Sequence, residues 1–337
     1  MAIDRSEWGV RLSDRVRAAL SAGDMDAARR LVGEGDGMAK SLEKEYSLMA
    51  KGLGISIRAL LDLAEDAARR ATDEGRRALS ETLRRFCEDL RKLVQSDEEA
   101  EPTDPGGWLA HARQRLAEGE ARFDREHRNL SRLILEALDR NDAAAARELV
   151  DRKELSEFVP LHDRLVRFMA EIWAWVLEHL GAEELHRFHL AAAEAQRRGF
   201  EGWERLSAEG FARATAFLVR QHMGNTTILE DDEKFRFELS PCGSGGRLRL
   251  GGAYEGPGAL PHVETPGPLT FGKARLPVYC SHCPMWNAVA PAAWFGHPQW
   301  VYHDPSRTDG SCTVSIYKRP ENIPGEFLRR LGLSDRS

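Results

Sequence analysis

The chain has 337 residues, 42 % hydrophobic and 30 % charged, enough to bury a substantial core and long enough for about two domains. Its 48 basic and 54 acidic residues give a formal net charge of −6 and are interleaved almost everywhere, which suits solvated helix faces and leaves no basic footprint for nucleic acid. The opening MAIDRSEWGVRLSDRVRAAL lacks an apolar signal core and nowhere do 18 uncharged apolar residues run together, so a cytoplasmic protein without a membrane partner is expected.

From about Ser13 to Ser96 apolar residues recur every three or four positions, predicting helices that each bury one face, with Cys87 as an inert core thiol. An acidic stretch carrying two prolines, QSDEEAEPTDPGG, then breaks the pattern, which divides the chain into a first helical block (1–97), a linker (98–107) and a second helical block (108–223). ALSAGDMDAARRLV (19–32) and ALDRNDAAAARELV (137–150) share eight of fourteen residues at a spacing of 118. Each reads as helix, polar turn, helix, with Asp24 and Asp142 placed to cap the following helix, so the blocks are either duplicated or two alanine-rich hairpins that converged.

The second block carries histidines in WAWVLEHLGAEELHRFHL, with Glu183 and His186 at the spacing that puts both on one helix face. A di-iron bundle would need a second such motif, and only the imperfect Asp124-Arg-Glu-His127 is present. The simpler expectation is acid–base or substrate-binding work by His186, His189 or His222, set against histidines that merely lie on a helix surface or cap an end. Trp173, Trp175 and Trp203 in this block, with Trp286, Trp294 and Trp300 further on, suggest an aromatic-lined junction between the helices and the C-terminal part of the chain.

After Gly224 the pattern turns to strands. TTILEDDEKFRFEL (226–239) predicts a hairpin, GRLRLGG (246–252) a third strand, residues 251–272 a Gly/Pro-rich loop, ARLPVY a short strand, Pro284 the start of a short helix and CTVSIYK (312–318) a last strand. The expected fold class is therefore α+β: mostly α-helical over the N-terminal two-thirds, then a small cysteine-rich α+β domain (224–322) and a C-terminal tail (323–337).

Four of the five cysteines fall in that domain: Cys242, Cys280, Cys283 and Cys312. A C-x2-C pair with two further cysteines suits one tetrahedral zinc, and His282, His297 or His303 could replace one thiolate. Cys242 lies in PCGSGG, whose backbone N–H groups could stabilise a thiolate and whose string resembles the CGSG turn of SEC-C zinc motifs, although the neighbouring cysteines of those motifs are absent. The other readings are separate reduced core cysteines, or a redox C-x-H-C corner resembling DsbA-like oxidoreductases, for which the 54 residues after Cys283 are too few to complete the fold.

Taken together, CSHCPMWNAVAPAAWFGHPQWVYHD and DGSCTVSIYK resemble the tail of the L-2-amino-thiazoline-4-carboxylic acid hydrolase family and of vinyl-reductase-type small-molecule-binding domains, over about 40 residues. The resemblance carries over to Cys283, Asp304 and Cys312 and implies a small-molecule pocket beside a thiol-rich site. Cys242 and the long helical part depart from it, so the family's reaction does not transfer. The resulting expectation is a zinc enzyme, hydrolase-like, acting on a small organic molecule at the junction of helices and C-terminal domain. The metal ligands would be Cys242, Cys280, Cys283 and Cys312, with His186, His189, His222 and Asp304 as candidate catalytic residues. The alternatives are a ligand-sensing or interaction module with a structural zinc, and a CxxC dithiol oxidoreductase.

Overall fold

The computed structural model describes residues 2–94, 101–200 and 202–333. A two-residue strand, β1 (Ile3–Asp4), is followed by helices α1 (Leu12–Ser21), α2 (Met25–Gly33), α3 (Leu42–Ala68) and α4 (Asp73–Val94). The helices resume with α5 (Pro105–Asp139), α6 (Ala143–Asp151), α7 (Val159–Leu180), α8 (Ala182–Gln196) and α9 (Ala208–Gln221). Caps set their starts: the side chains of Asp24, Ser41, Asp104, Asp142 and Ser207 each accept from the backbone N–H three residues on. Asp104 with Pro105 in the first turn begins α5 inside the expected linker, because proline is tolerated where the N–H would be unsatisfied anyway. The rest of that stretch, residues 95–100, lies outside the described residues.

The two helical blocks share one core. α4 packs on α5 and α7, while α3 packs on α5, α7 and α8. Phe86 of α4 stacks on Phe168 of α7 with ring centroids 3.7 Å apart, both fully buried, and burying a ring of this size contributes about 1.5–3 kcal/mol. The element order repeats as well: α2 and α6 begin 118 residues apart, and the hairpins α1–α2 and α5–α6 pack against one another.

Beyond α9 come β2 (Thr226–Glu230), β3 (Lys234–Leu239), the short helix α10 (Gly245–Leu250), β4 (His262–Val263) and β5 (Leu276–Pro277). A helical segment over residues 282–295 and the strands β6 (Val301–Asp304) and β7 (Cys312–Tyr317) complete the unit's regular structure up to residue 317. The main sheet is antiparallel in the order β1-β2-β3-β7-β6, and β4 pairs with β5 alone. Two sequence expectations change here. GRLRLGG forms the larger part of α10 and the turn after it, since Arg-Leu-Arg-Leu satisfies a helical turn as well as a strand, and of those four only Leu248 is buried. The supposed tail from residue 323 carries a helix, Gly325–Arg330, and buries Phe327, Leu328 and Leu331 in the core of the sheet unit.

That second core gathers Trp8, the inner face of α9 and the strands. The C-x-H-C segment sits on the seam between the two cores: Tyr279 and Met285 belong to the helical core, Cys280 and Ala288 to the sheet core. Among the described residues no helix is long and apolar enough to cross a membrane.

Candidate active site

The PCGSGG turn fits this seam only because it is glycine-rich. A Cβ on Gly243 would fall 2.0 Å from the His222 carbonyl oxygen, and one on Gly246 2.2 Å from that of Gly310. The close approach lays Cys242 against Cys312 at the start of β7, whose own sulfur accepts from the Ser306 N–H at 3.2 Å. Cys280 and Cys283 arrive from the seam segment. All four cysteines line one void of about 20 Å³, room for about one water or ion, together with Arg249, whose Nη1 donates to the Cys280 sulfur at 3.2 Å.

On the other side of Cys242, Cys283 and Cys312 lies a larger cavity of about 220 Å³ between helices and sheet unit. Met49 and Leu53 of α3, Met169 of α7 and Leu218 of α9 wall it from the helices, and Tyr279, Trp286, Trp300 and Tyr302 from the C-terminal unit. His222 and His282 supply imidazoles, while Ser56, Gln196 and Asn287 supply neutral polar groups. No Lys, Arg, Asp or Glu is among its described lining residues.

The thiols differ in character. The Cys312 thiol beside it, the backbone N–H groups of Gly246 and Ser244 and the Ser244 hydroxyl hold Cys242 well below the usual thiol range against the cost of burial. Its partner Cys312 is pushed up by its contact with Cys242 and by burial, and the two thiols titrate as a pair. Burial raises Cys280, opposed by Arg249, and raises Cys283 further. Cys242 is thus the thiol of the cluster whose surroundings most favour the ionised form.

The imidazoles are fixed by their partners. His282 Nδ1 lies 2.5 Å from the Tyr279 carbonyl and must donate to it, leaving the Nε2 lone pair 3.7 Å from the Cys283 sulfur. Burial pulls His282 down to about 4, so it is neutral near pH 7. His222 Nδ1 lies 2.8 Å from His162 Nε2, leaving Nε2 of His222 for the cavity it lines. Behind it, His162 Nδ1 lies 2.8 Å from Asp163 Oδ1 and 3.0 Å from Arg247 Nη2.

The candidate residues therefore separate. His222 reaches the cavity. His189 is fully buried, and because the Ser281 hydroxyl donates to the Val278 carbonyl, His189 Nε2 donates to Ser281 Oγ at 2.8 Å. It holds the C-x-H-C segment in place and does not line the cavity. His186 is half-buried and also outside it. Glu183, 87 % exposed, pairs with Arg187, while His127 is buried against Phe123, so neither half of a di-iron site forms. Asp304 is half-exposed, pairs with Lys273 and Arg307, and lines neither cavity. Of the three histidines offered as substitute ligands only His282 accompanies the cysteines: His297 faces the Pro298 carbonyl and His303 bonds Ser315 at the surface. Of the tryptophans, Trp286 and Trp300 wall the cavity, Trp173 is core against His282, and Trp294 pairs with Glu194 outside.

Sequence reasoning missed Arg249, because a strand was read there, and the His162-Asp163-Arg247 group, whose members lie 60 to 85 residues from their partners. The adjacent His-Asp in the first turns of α7 was the one available signal. Among the described residues, no group of three or more His, Cys, Asp or Glu side chains is arranged to hold a metal ion. No protein-family model matches the chain, and neither a curated protein nor a solved structure was found to be similar to it.

Proposed function

We propose that the chain is an enzyme acting on a small neutral organic molecule in the seam cavity, with Cys242 as its nucleophile. The observation that carries this reading is the meeting, in one cavity whose described lining holds no Lys, Arg, Asp or Glu, of a hydrogen-bonded Cys242 and two neutral imidazoles. In a hydrolytic or group-transfer cycle the Cys242 sulfur gives its proton to an imidazole as it bonds to an electrophilic carbon, and the leaving group departs with that proton, which restores the neutral ring. Water or another acceptor then cleaves the S–C bond and returns the thiol. A carboxylate-bearing thiazoline, the substrate of the family that the C-terminal residues resemble, would want a cation, and the cavity lining has none.

The test is a panel of neutral and anionic small esters and thioesters, read by product release and by mass spectrometry of the adduct. Turnover of neutral members through an adduct on Cys242, lost in Cys242→Ser, supports the enzyme. Saturable binding without adduct or turnover would instead favour a ligand-sensing module.

A thiolate-bound metal, zinc by the cysteine count, is the second reading, favoured by the convergence of four cysteines on one ion-sized void. The residues fit in kind: four sulfurs and, in Arg249, a cation to offset the negative charge of a four-thiolate site. Bound there, zinc would hold Cys242, Cys280, Cys283 and Cys312 together as a closed structural centre. Metal analysis of the purified chain decides: about one zinc per chain, lost in Cys280→Ser/Cys283→Ser, supports it, and metal-free protein with reactive Cys242 rejects it.

A further inference from the structure

We infer that His222, His162 and Asp163 form a proton conduit between the seam cavity and solvent. The inference rests on the cavity being a reaction site, and it deepens that reading by naming how the site exchanges protons. The cavity lining holds no Lys, Arg, Asp or Glu, so a proton released there lands on an imidazole or a thiol, and leaving its charge on a buried ring is costly. The three side chains make an unbroken path out of it. His222 lines the cavity, its Nδ1 is 2.8 Å from His162 Nε2, and His162 Nδ1 is 2.8 Å from Asp163 Oδ1. His162 is fully buried, whereas the Asp163 side chain is 42 % exposed, so the path ends in water.

Two neutral arrangements of the rings are each stabilised. With the proton on His162 Nδ1, that ring donates to Asp163, accepts from His222 Nδ1–H, and leaves His222 Nε2 as a base toward the cavity. With the proton on His162 Nε2, that ring donates to His222 Nδ1 and accepts at Nδ1 from Arg247 Nη2, 3.0 Å away, so His222 Nε2–H becomes a donor. Passage of one proton converts the first into the second. A cavity proton binds His222 Nε2, the His222 Nδ1 proton moves to His162 Nε2, and the His162 Nδ1 proton moves to the Asp163 carboxylate and on to water. Both rings are neutral before and after. The second arrangement is poised to give a proton back, which restores the first, so a cycle that takes and later returns a proton needs no other reset. The hydrogen bond from His162, and after it the pairing with Arg247, hold Asp163 below the usual carboxylate range against its burial.

The experiment uses the full chain labelled with 15N at histidine. Through-hydrogen-bond coupling between His162 Nε2 and His222 Nδ1 should be present, and exchange of the shared proton with solvent should slow by about 10-fold or more in Asp163→Asn, which keeps the shape but cannot take up the proton. Missing coupling in the unsubstituted protein, or an unchanged exchange rate in Asp163→Asn, would overturn the conduit. Should the asparagine variant not fold, Asp163→Glu must retain rapid exchange, and slow exchange there overturns it equally. Alkylation of Cys242 by iodoacetamide in the same samples separates this from the enzyme reading. Slowed exchange with an unreactive Cys242 rejects the nucleophile and keeps the conduit, and the reverse result rejects the conduit alone.

Discussion

Two regions of the molecule bury polar groups, and they do so in opposite ways. Within the helical body, Arg220 of α9 is fully buried between Asp36 at 2.8 Å and Glu45 at 2.9 Å, and Tyr46 donates to Glu154, which also pairs with Arg17. Each charge of that network has an opposite partner in contact. At the seam, the polar groups are thiols and neutral rings around open volume, with the nearest cations, Arg247 and Arg249, set behind them. A compensated ionic network holds elements in register, whereas loosely partnered thiols and imidazoles facing a void have capacity left for a ligand.

If that contrast is right, substitutions in the first region should cost stability and those in the second chemistry. The largest effect belongs to Arg220→Ala, which leaves buried Glu45 without its cation and Asp36 with only Arg15 at 3.8 Å, and should lower unfolding free energy by about 3–5 kcal/mol in a denaturant titration. A change under about 1 kcal/mol would mean that the network is not what ties α9 to the helices.

Acid should strike the seam. His282 is depressed from 6.5 to about 4, and His222 and His189 are also depressed by burial, so the folded state binds fewer protons than the unfolded chain. The stability from these neutral histidines is complete above about pH 6.5 and is lost as pH falls toward 4, with up to about 3 kcal/mol from His282. His282→Gln should flatten that part of the stability curve, and an equally steep curve would place the acid sensitivity elsewhere.

Smaller effects are expected elsewhere. Cys242→Ala should shift stability by no more than about 1 kcal/mol, since it removes one sulfur from a site bordered by open volume, while abolishing adduct formation. His186→Gln, outside the cavity, should stay within about 0.5 kcal/mol and leave Cys242 reactivity unchanged. Loss of reactivity in that variant would restore His186 to the site.

Range decides how much was legible in the sequence. The caps at Asp24 and Asp142, the hairpin at 226–239 and the helical periodicity are local, and each appears where the pattern puts it. The convergence of Cys242, Cys280, Cys283 and Cys312 was readable as a possibility because few residue types gather thiols at such spacing. The unreadable part was long-range: Ile3–Asp4 adding an edge strand beside β2, the sharing of one core by both helical blocks, and His162 of α7 meeting His222 after α9. Asp304 was chosen by likeness and His186 by helical spacing, and neither criterion says which way a side chain faces. The change of GRLRLGG from strand to helix mattered most, because it turned Arg247 and Arg249 from surface charges into the cations behind the site.

The most direct measurement of the central claim is competitive alkylation of the native chain at neutral pH with a limiting amount of iodoacetamide, a small neutral electrophile, mapped by peptide mass spectrometry. The account predicts that Cys242 is modified first, ahead of Cys283, with Cys87 untouched because burial pushes its thiol up to about 12. Modification of Cys280 or Cys283 with Cys242 spared would contradict it. So would protection of all four seam cysteines together with one bound zinc.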